Sequence, residues 1–310
     1  MRRLFFASSQ EFVAQLTALY DLINPTAAAM WNLRWQVRGY LEEREHASNR
    51  ELHGRFVAGS GIGSANLRRH SVERTWKEQQ ADLSLLMVFS AIGLYEGWTF
   101  AFELGSNNEK ERLQFPSRGI NGRTRLGVGD TVATLQSSHS RLLDLAYGSN
   151  LRSSTRYMPT RLNDMLVCYR CFKEVRNVCA HAGGIPDAYT VNSHTNAVSR
   201  TAGLGRTGQN LALPTVVAGN PVQLSLLNAQ ALCALLLNIV VTLDAELAIT
   251  QAAESVLLDR WRKRYPRTQF SADPVRKKNR LRRLNSNVGL PDFNDDVALY
   301  DLLNNAHLVI

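Results

Sequence analysis

"LNDMLVCYRCFKEVRNVCAHAGG", residues 162–184, places Leu162, Leu166, Tyr169 and Phe172 three and four residues apart and closes on two glycines. That spacing is one apolar face of a helix. Pro159 suits its first turn, and Gly183 and Gly184 suit its end, so a helix is predicted between them. At 100° per residue, Arg176 falls about 40° from Leu162, on the apolar stripe. A permanent charge on a face meant for burial costs several kcal/mol unless it is paired or the face opens on a wet groove. His181 lies about 140° further round, so one chain does not by itself bring the two side chains together. Two copies of this helix packed across an interface would line one cleft with both pairs.

Outward from this stretch, the other long apolar runs are helical as well. "SSQE" at 8–11 is a capping-box pattern ahead of Phe12, Leu16, Leu19, Tyr20 and Ile23, which predicts a first helix ending at Ile23. "NPT" at 24–26 stops it and permits a second helix carrying Met30, Trp31, Val37, Tyr40 and Leu41. Residues 47–70 read as a loop. Ser71 is a candidate cap for a long helix that stays apolar through Leu104 and stops at Gly105. The region 106–155 is polar and glycine-rich, with a short helix expected over 130–147 from Val132, Leu135, Leu142 and Leu145. "TVVAGNPVQL" at 215–224 reads as a small β-hairpin turning at Gly219 and Asn220, and a very apolar helix is expected over 225–264. With no repeat and no alternation of strands and helices, the expected architecture is an all-α bundle.

Composition narrows the function classes. Hydrophobic residues make up 45% of the 310, which is globular. The formal charge of +9 is concentrated, because 260–283 holds eleven Lys/Arg against the single acid Asp273. Arginine outnumbers lysine 30 to 6, and guanidinium favours bidentate contacts with phosphate and carboxylate. Four cysteines, three of them in one apolar helix, suggest no secreted disulfide framework, so the cytoplasm is the expected compartment. The start "MRRLFFASSQE" has too short an apolar run for a signal peptide. Residues 83–102, "LSLLMVFSAIGLYEGWTFAF", are long enough to span a bilayer but carry Glu96 between Asp82 and Glu103, so a buried bundle helix is expected and no membrane partner.

"RNVCAH", 176–181, resembles the Arg-x4-6-His signature of the HEPN superfamily, whose members often carry a polar residue after the arginine, as Asn177 is here. The order of elements is similar too: the motif ends the third core helix, an earlier apolar helix holds "YEGW" at 95–98, and an apolar helix closes the bundle. The resemblance covers roughly 71–264. It implies a HEPN-like four-helix bundle that forms a homodimer or higher homo-oligomer. In many members it also implies metal-independent RNA cleavage with no cofactor, in toxin or antiviral defence settings. Since an unrestrained ribonuclease would damage its host, that activity makes an antitoxin or sensor protein an expected further partner.

On that resemblance, His181 is the general acid or base, and a helix C-terminus favours its protonated form. Arg176 holds the phosphate and the charge that develops on it. Asn177 orients the substrate or the motif, and Glu96 matches an acidic position in the first core helix of some relatives. RNA supplies its own nucleophile, the 2′-OH, so proton transfer and charge stabilisation suffice.

Blander readings compete for the same residues. Arg176 pairs with a neighbouring carboxylate while His181 only ends a helix. Cys168, Cys171, Cys179 and His181 form a possible zinc set, against which the CxxC lies mid-helix. "GLGRTG" at 203–208 and "GSGIG" at 59–63 are glycine-rich but neither follows a strand nor opens a helix. His139 is a surface helix residue. The tracts "RWRKRYPR", 260–267, and "RKKNRLRR", 276–283, offer Arg260, Arg262, Lys263, Arg264, Arg276, Lys277, Lys278, Arg280, Arg282 and Arg283 as nucleic-acid contacts, or else a solvated helix end with a disordered tail. Trp261 and Tyr265 either stack bases or cover the end of the bundle.

The predicted organisation is a helical N-terminal arm and loop over 1–70, a HEPN-like bundle over 71–264 with a polar insertion at 106–155, and a basic then acidic C-terminal extension over 265–310. The expected activity is that of an endoribonuclease acting on RNA. The rival is a non-catalytic HEPN-like subunit that binds nucleotide or nucleic acid, or serves assembly, in a larger complex.

Overall fold

A computed structural model describes residues 3–63, 65–117, 126–205 and 208–309. The first helix, α1, runs unbroken over Ala7–Glu43 with Pro25 inside it. The predicted stop at "NPT" does not occur. An interior proline costs about 3 kcal/mol, but apolar anchors on both sides outweigh it: Phe12, Leu16, Leu19 and Ile23 are buried before it, Val37 and Leu41 after it. The predicted "SSQE" box does not form either. α1 begins one residue before Ser8, whose backbone N–H donates to Glu103 at 3.1 Å. The N–H groups of Phe5 and Phe6 donate to the buried Asp244 carboxylate at 2.8 and 3.0 Å.

The stretch 47–70, read as loop, holds α2 (Asn49–Phe56), which Ser48 and Glu51 close with a capping box. A π-helical turn, Arg69–Glu73, leads into α3 (Trp76–Ala101). Thr75 and Glu78 cap α3, whereas Ser71, the predicted cap, is buried in the preceding turn. Next come α4 (Asn107–Arg112), α5 (Val128–Gln136), α6 (Arg141–Leu143) with a π-helical continuation over Asp144–Gly148, and α7 (Ser149–Arg152). A 3-10 turn, Pro159–Arg161, opens α8 (Leu162–His181), the helix anticipated from the apolar stripe. Then follow α9 (Ala188–Val198), α10 (Leu226–Leu247), α11 (Gln251–Arg264), α12 (Pro274–Asn287) and α13 (Asp296–Asn305).

Two predicted helices are split by one feature. Ser140 N–H donates to Ile249 O and Gln251 N–H to Ser138 O, both at 2.8 Å. This pairing of 138–140 with 249–251 breaks the helix expected over 130–147 and separates α10 from α11, which Thr250 then caps. The expected hairpin shrinks to a single antiparallel bridge in which Thr215 and Gln223 exchange two 3.0 Å bonds, with Gly219 in the left-handed region at the turn. Among the described residues there are isolated β-bridges and no strand, and the fold is all-α.

α3 packs against α1, α8 and α10, and α10 also packs against α8 and α1. One hydrophobic core runs through this group, with Ile92, Tyr95, Met165, Phe172, Leu236 and Ile239 all buried. It extends to both chain ends, since Phe5 and Phe6 belong to it and so do Leu281, Leu299, Leu302 and Leu308. The segment 265–310, read as an extension with a tail, is therefore helical and packed: α12 turns Leu281 and Leu284 inward while its charges face out. A second, smaller core of Val37, Leu41, Ala47, Leu52, Val57 and Leu67 lies where the far half of α1 meets α2. α3 and α10 are both long and apolar enough to cross a membrane, and half or more of the apolar window of each is buried inside the protein.

Candidate functional site

α8 and α3 cross where Tyr169, Lys173 and Arg176 of α8 meet Glu96 and Phe89 of α3. Glu96 Oε1 forms ion pairs with Lys173 Nζ and, at 3.5 Å, with Arg176 Nη2. The side chains of Arg176 and Glu96 are 22% and 26% exposed. The guanidinium carbon lies 5.7 Å from the Phe89 ring centre, and Arg176 Nε is buried without a hydrogen-bond partner. The charge on the apolar stripe is thus met by a carboxylate, as burial demanded and as the structural reading of Arg176 expected.

Lys173 was not anticipated. It sits one turn before Arg176 on the same face, so the three-residue spacing was the available signal. Lys173 also donates to Gln114 Oε1 at 3.4 Å, and Gln114 Nε2 donates to Thr99 Oγ1 at 2.8 Å. The Tyr169 phenol is pushed above its usual range, first by burial and then by the negative charge of Glu96. Two cations share one carboxylate at a mostly buried crossing, which leaves an excess of positive charge there, while Arg176 Nε itself is sealed from solvent.

The dependence on Glu96 is measurable. Glu96→Ala leaves Lys173 and Arg176 side by side without a counter-charge, and should cost about 2 to 3 kcal/mol, somewhat less than a fully buried pair because these side chains are partly exposed. Urea unfolding reads this directly. A loss under about 0.5 kcal/mol would show that water already carries the charge balance.

His181 is the last residue of α8 and is exposed. Neither it nor the half-buried Asn177 makes a side-chain hydrogen bond or ion pair among the described residues. Gly183 and Gly184 take left-handed φ values of 60° and 83°, and Gly184 N–H returns to Val178 O at 3.2 Å, which ends the helix as the sequence predicts. Within one chain the structure joins Arg176 to Glu96, and leaves His181 and Asn177 on another side of α8.

The basic residues fall into two groups. Arg260 is taken up by structure, donating to Phe5 O at 2.9 Å and pairing with Glu103 at 3.2 Å. Lys278 pairs with Asp296 at 2.8 Å, Lys277 lies over the Tyr300 ring at 2.9 Å, and Arg282 lies 5.8 Å from the Phe293 ring centre. Arg262 pairs with Asp259 at 2.7 Å and Arg264 donates to Asn287 O at 2.7 Å, though both are exposed. Arg276, Arg280 and Arg283 recur at helical spacing on the exposed face of α12, with Lys263 exposed at the end of α11. Trp261 is buried, so it covers the bundle end and is closed to base stacking.

This surface is far from His181. α12 is tied to the start of α1, where Gln10 Nε2 donates to Gly289 O at 2.7 Å, and Arg260 meets Glu103 just past the end of α3. The turn after His181 adjoins the beginning of α3, through Val222 N–H to Gly184 O at 2.9 Å and Lys77 Nζ to Gln223 Oε1 at 3.4 Å. The helix between these ends is 26 residues long, roughly 39 Å at 1.5 Å per residue.

Cys168, Cys171 and Cys233 are buried and Cys179 is half-buried. Cys168 Sγ donates to Ala197 O at 3.7 Å, and burial pushes its thiol up to about 12. Among the described residues no three His, Cys, Asp or Glu side chains converge as metal ligands. His139 lies 3.4 Å from Asp144, in a cluster with Arg152. In "GLGRTG" Gly203 and Gly208 have left-handed φ, while Arg206 and Thr207 lie outside the described residues. No protein-family model matches the chain, and neither a curated protein nor a solved structure matches it.

Proposed function

We propose that the chain is a HEPN-type endoribonuclease that works without a metal, acting on RNA as a homodimer. The observation that carries this reading is the half-buried Arg176, held at the α3–α8 crossing where it shares the Glu96 carboxylate with Lys173, on the helix that ends in the exposed His181. Arg176 supplies a fixed positive charge for the phosphate, and its planar fork suits two oxygens. His181 moves protons to or from the 2′-OH and the leaving oxygen, for which an imidazole is suited near neutral pH. Glu96 and Lys173 position Arg176. Asn177, one residue beyond it, orients the substrate.

A second copy completes the site, because the two side chains lie about 140° apart on one helix. The exposed side of α3 supports this. Leu86, Gly93 and Phe100 repeat at seven-residue spacing there, with Gly97 beside them, and all four are exposed. A Cβ added at Gly93 or Gly97 would meet nothing in its own chain, so a partner helix has room for close approach. This seam runs alongside Glu96. The outward arginines of α12 and α11 gather RNA through sequence-tolerant phosphate contacts. In this reading the protein works in the cytoplasm in a toxin or antiviral setting, restrained by an antitoxin or sensor protein.

The test is RNA cleavage by the purified chain in EDTA. Cleavage is expected, and Arg176→Ala/His181→Ala should abolish it. Full EDTA-resistant cleavage by the double variant would exclude the assignment. One observation favours the non-catalytic reading, that of an RNA-binding or assembly subunit: Glu96 already occupies one edge of Arg176. Folded dimers that bind RNA yet yield no products across varied substrates would decide for it.

A further inference from the structure

Three tryptophans cluster at the end of the molecule where α8 stops. Trp31 and Trp35 lie one turn apart on α1, with ring centres 5.4 Å apart and planes at 80°, and Trp31 meets Trp76, the first residue of α3, at 5.1 Å and 61°. Trp31 is 38% exposed and Trp35 53% exposed. The nearby small core is built without them, from Val37, Leu41, Ala47, Leu52, Val57 and Leu67. Edge-to-face packing fixes the rings relative to one another, and the exposure of Trp31 and Trp35 keeps part of each indole in solvent.

We infer that Trp31, Trp35 and Trp76 form a stacking platform for the unpaired nucleobases of a single-stranded nucleic acid, a contact surface separate from the basic face of α12. Every base has a π-face, and stacking on aromatic side chains tolerates sequence, but in a duplex those faces are hidden. Cations stand beside the rings. Arg38 lies one turn after Trp35 with its Nε bonded to Ser71 O at 2.7 Å, and Lys77 follows Trp76 directly. The exposed positions around the two indoles on α1 are Ala28, Asn32, Gln36 and Gly39, all small or polar. Val72, beside Ser71, is the one large aliphatic side chain exposed near them among the described residues, fewer than an apolar protein partner or a lipid surface would need. Lys77 touches Gln223, and the adjacent Val222 bonds to Gly184, three residues past His181. A strand stacked here is therefore at the His181 end of α3, opposite to the basic face of α12.

This inference gives the RNA of the nuclease reading a second contact surface and rests on that reading, but its test runs without cleavage. A labelled oligothymidylate has no 2′-OH, so the proposed reaction cannot cut it. Its binding is followed by fluorescence anisotropy at elevated salt, where phosphate contacts weaken and stacking persists. The wild-type chain should bind the single strand about ten-fold or more tightly than a duplex of equal length. Trp35→Ala should weaken single-strand binding roughly 5- to 100-fold with the thermal unfolding midpoint little changed, and Trp35→Phe should recover most of it. No binding by the wild-type chain, equal binding of single strand and duplex, or binding unaffected by Trp35→Ala would each overturn the platform. Loss of cleavage as a general property, with this pattern intact, would instead remove the nuclease reading and leave the platform standing.

Discussion

Alanine at His181 should lower EDTA-resistant RNA cleavage by about 10²- to 10⁴-fold, the usual contribution of a positioned proton-transfer group. Stability should hardly move, since the side chain is exposed and makes no hydrogen bond among the described residues. Arg176→Ala should cost at least as much activity, because it removes the fixed charge that meets the developing oxyanion. It too leaves a folded protein, as Lys173 still balances Glu96. Arg176→Lys separates charge from geometry: an ammonium keeps the charge but lacks the planar fork, so only a small part of the activity should return. Cleavage rates for the three variants, alongside their urea midpoints, check this. Wild-type rates in His181→Ala would assign the histidine to the helix end alone.

The largest loss of stability should follow Asp244→Ala. This carboxylate is fully buried in α10 and accepts the N–H groups of Phe5 and Phe6, with Ser9 as a further hydrogen-bond partner. Removing it strands two buried donors, each costing about 1 to 3 kcal/mol, so a loss of about 2 to 6 kcal/mol is expected by denaturant unfolding. Burial pushes the Asp244 carboxyl up to about 6, against the pull of its hydrogen bonds. The unfolded value is about 3.9, so between about pH 4 and pH 6 the native state holds a proton that the unfolded chain has released. Its stabilising contribution is therefore fully present below about pH 4 and is lost as pH rises through about 6. The difference in stability between wild type and Asp244→Ala should shrink across that window by up to about 3 kcal/mol. Carboxylates held low by their caps, such as Glu51 and Glu78, act in the opposite sense but are common to both proteins and cancel in the difference. A difference that grows with pH would contradict the account.

Helices whose apolar side chains are large and regularly spaced were legible in the sequence. α8 began and ended close to where Pro159 and Gly183 indicated, because a local stripe and a local stop decide such a helix. α9 was not foreseen, since its buried residues are Thr190, Ser193 and Ala197, small side chains that carry little hydrophobic signal. The other misses depend on partners distant in sequence. Pro25 is carried through by contacts on both sides of it, and the 138–140 segment breaks two helices at once by pairing with 249–251. Basic residues of α12 read as a solvated tail because its two inward leucines are outnumbered, yet those leucines join the main core.

At the site, the demand for a counter-charge could be read from the position of Arg176, but which carboxylate supplies it could not, because Glu96 lies 80 residues away in sequence on α3. Lys173 was signalled only by its three-residue spacing from Arg176, and its pairing with Glu96 depends on how α8 is turned against α3. The distance between the α12 arginines and His181 was equally hidden, as it follows from the tie between α12 and the start of α1.

The central claim is that Arg176 of one copy and His181 of another act on one phosphodiester, and subunit mixing tests it most directly. Arg176→Ala and His181→Ala dimers, each inactive alone, are mixed and allowed to exchange. If the pair spans two chains, random exchange makes about half the dimers mixed, each with one intact site of two, and about a quarter of wild-type cleavage should return. No recovery on proven exchange would mean that both residues act within one chain, and the composite site would be wrong.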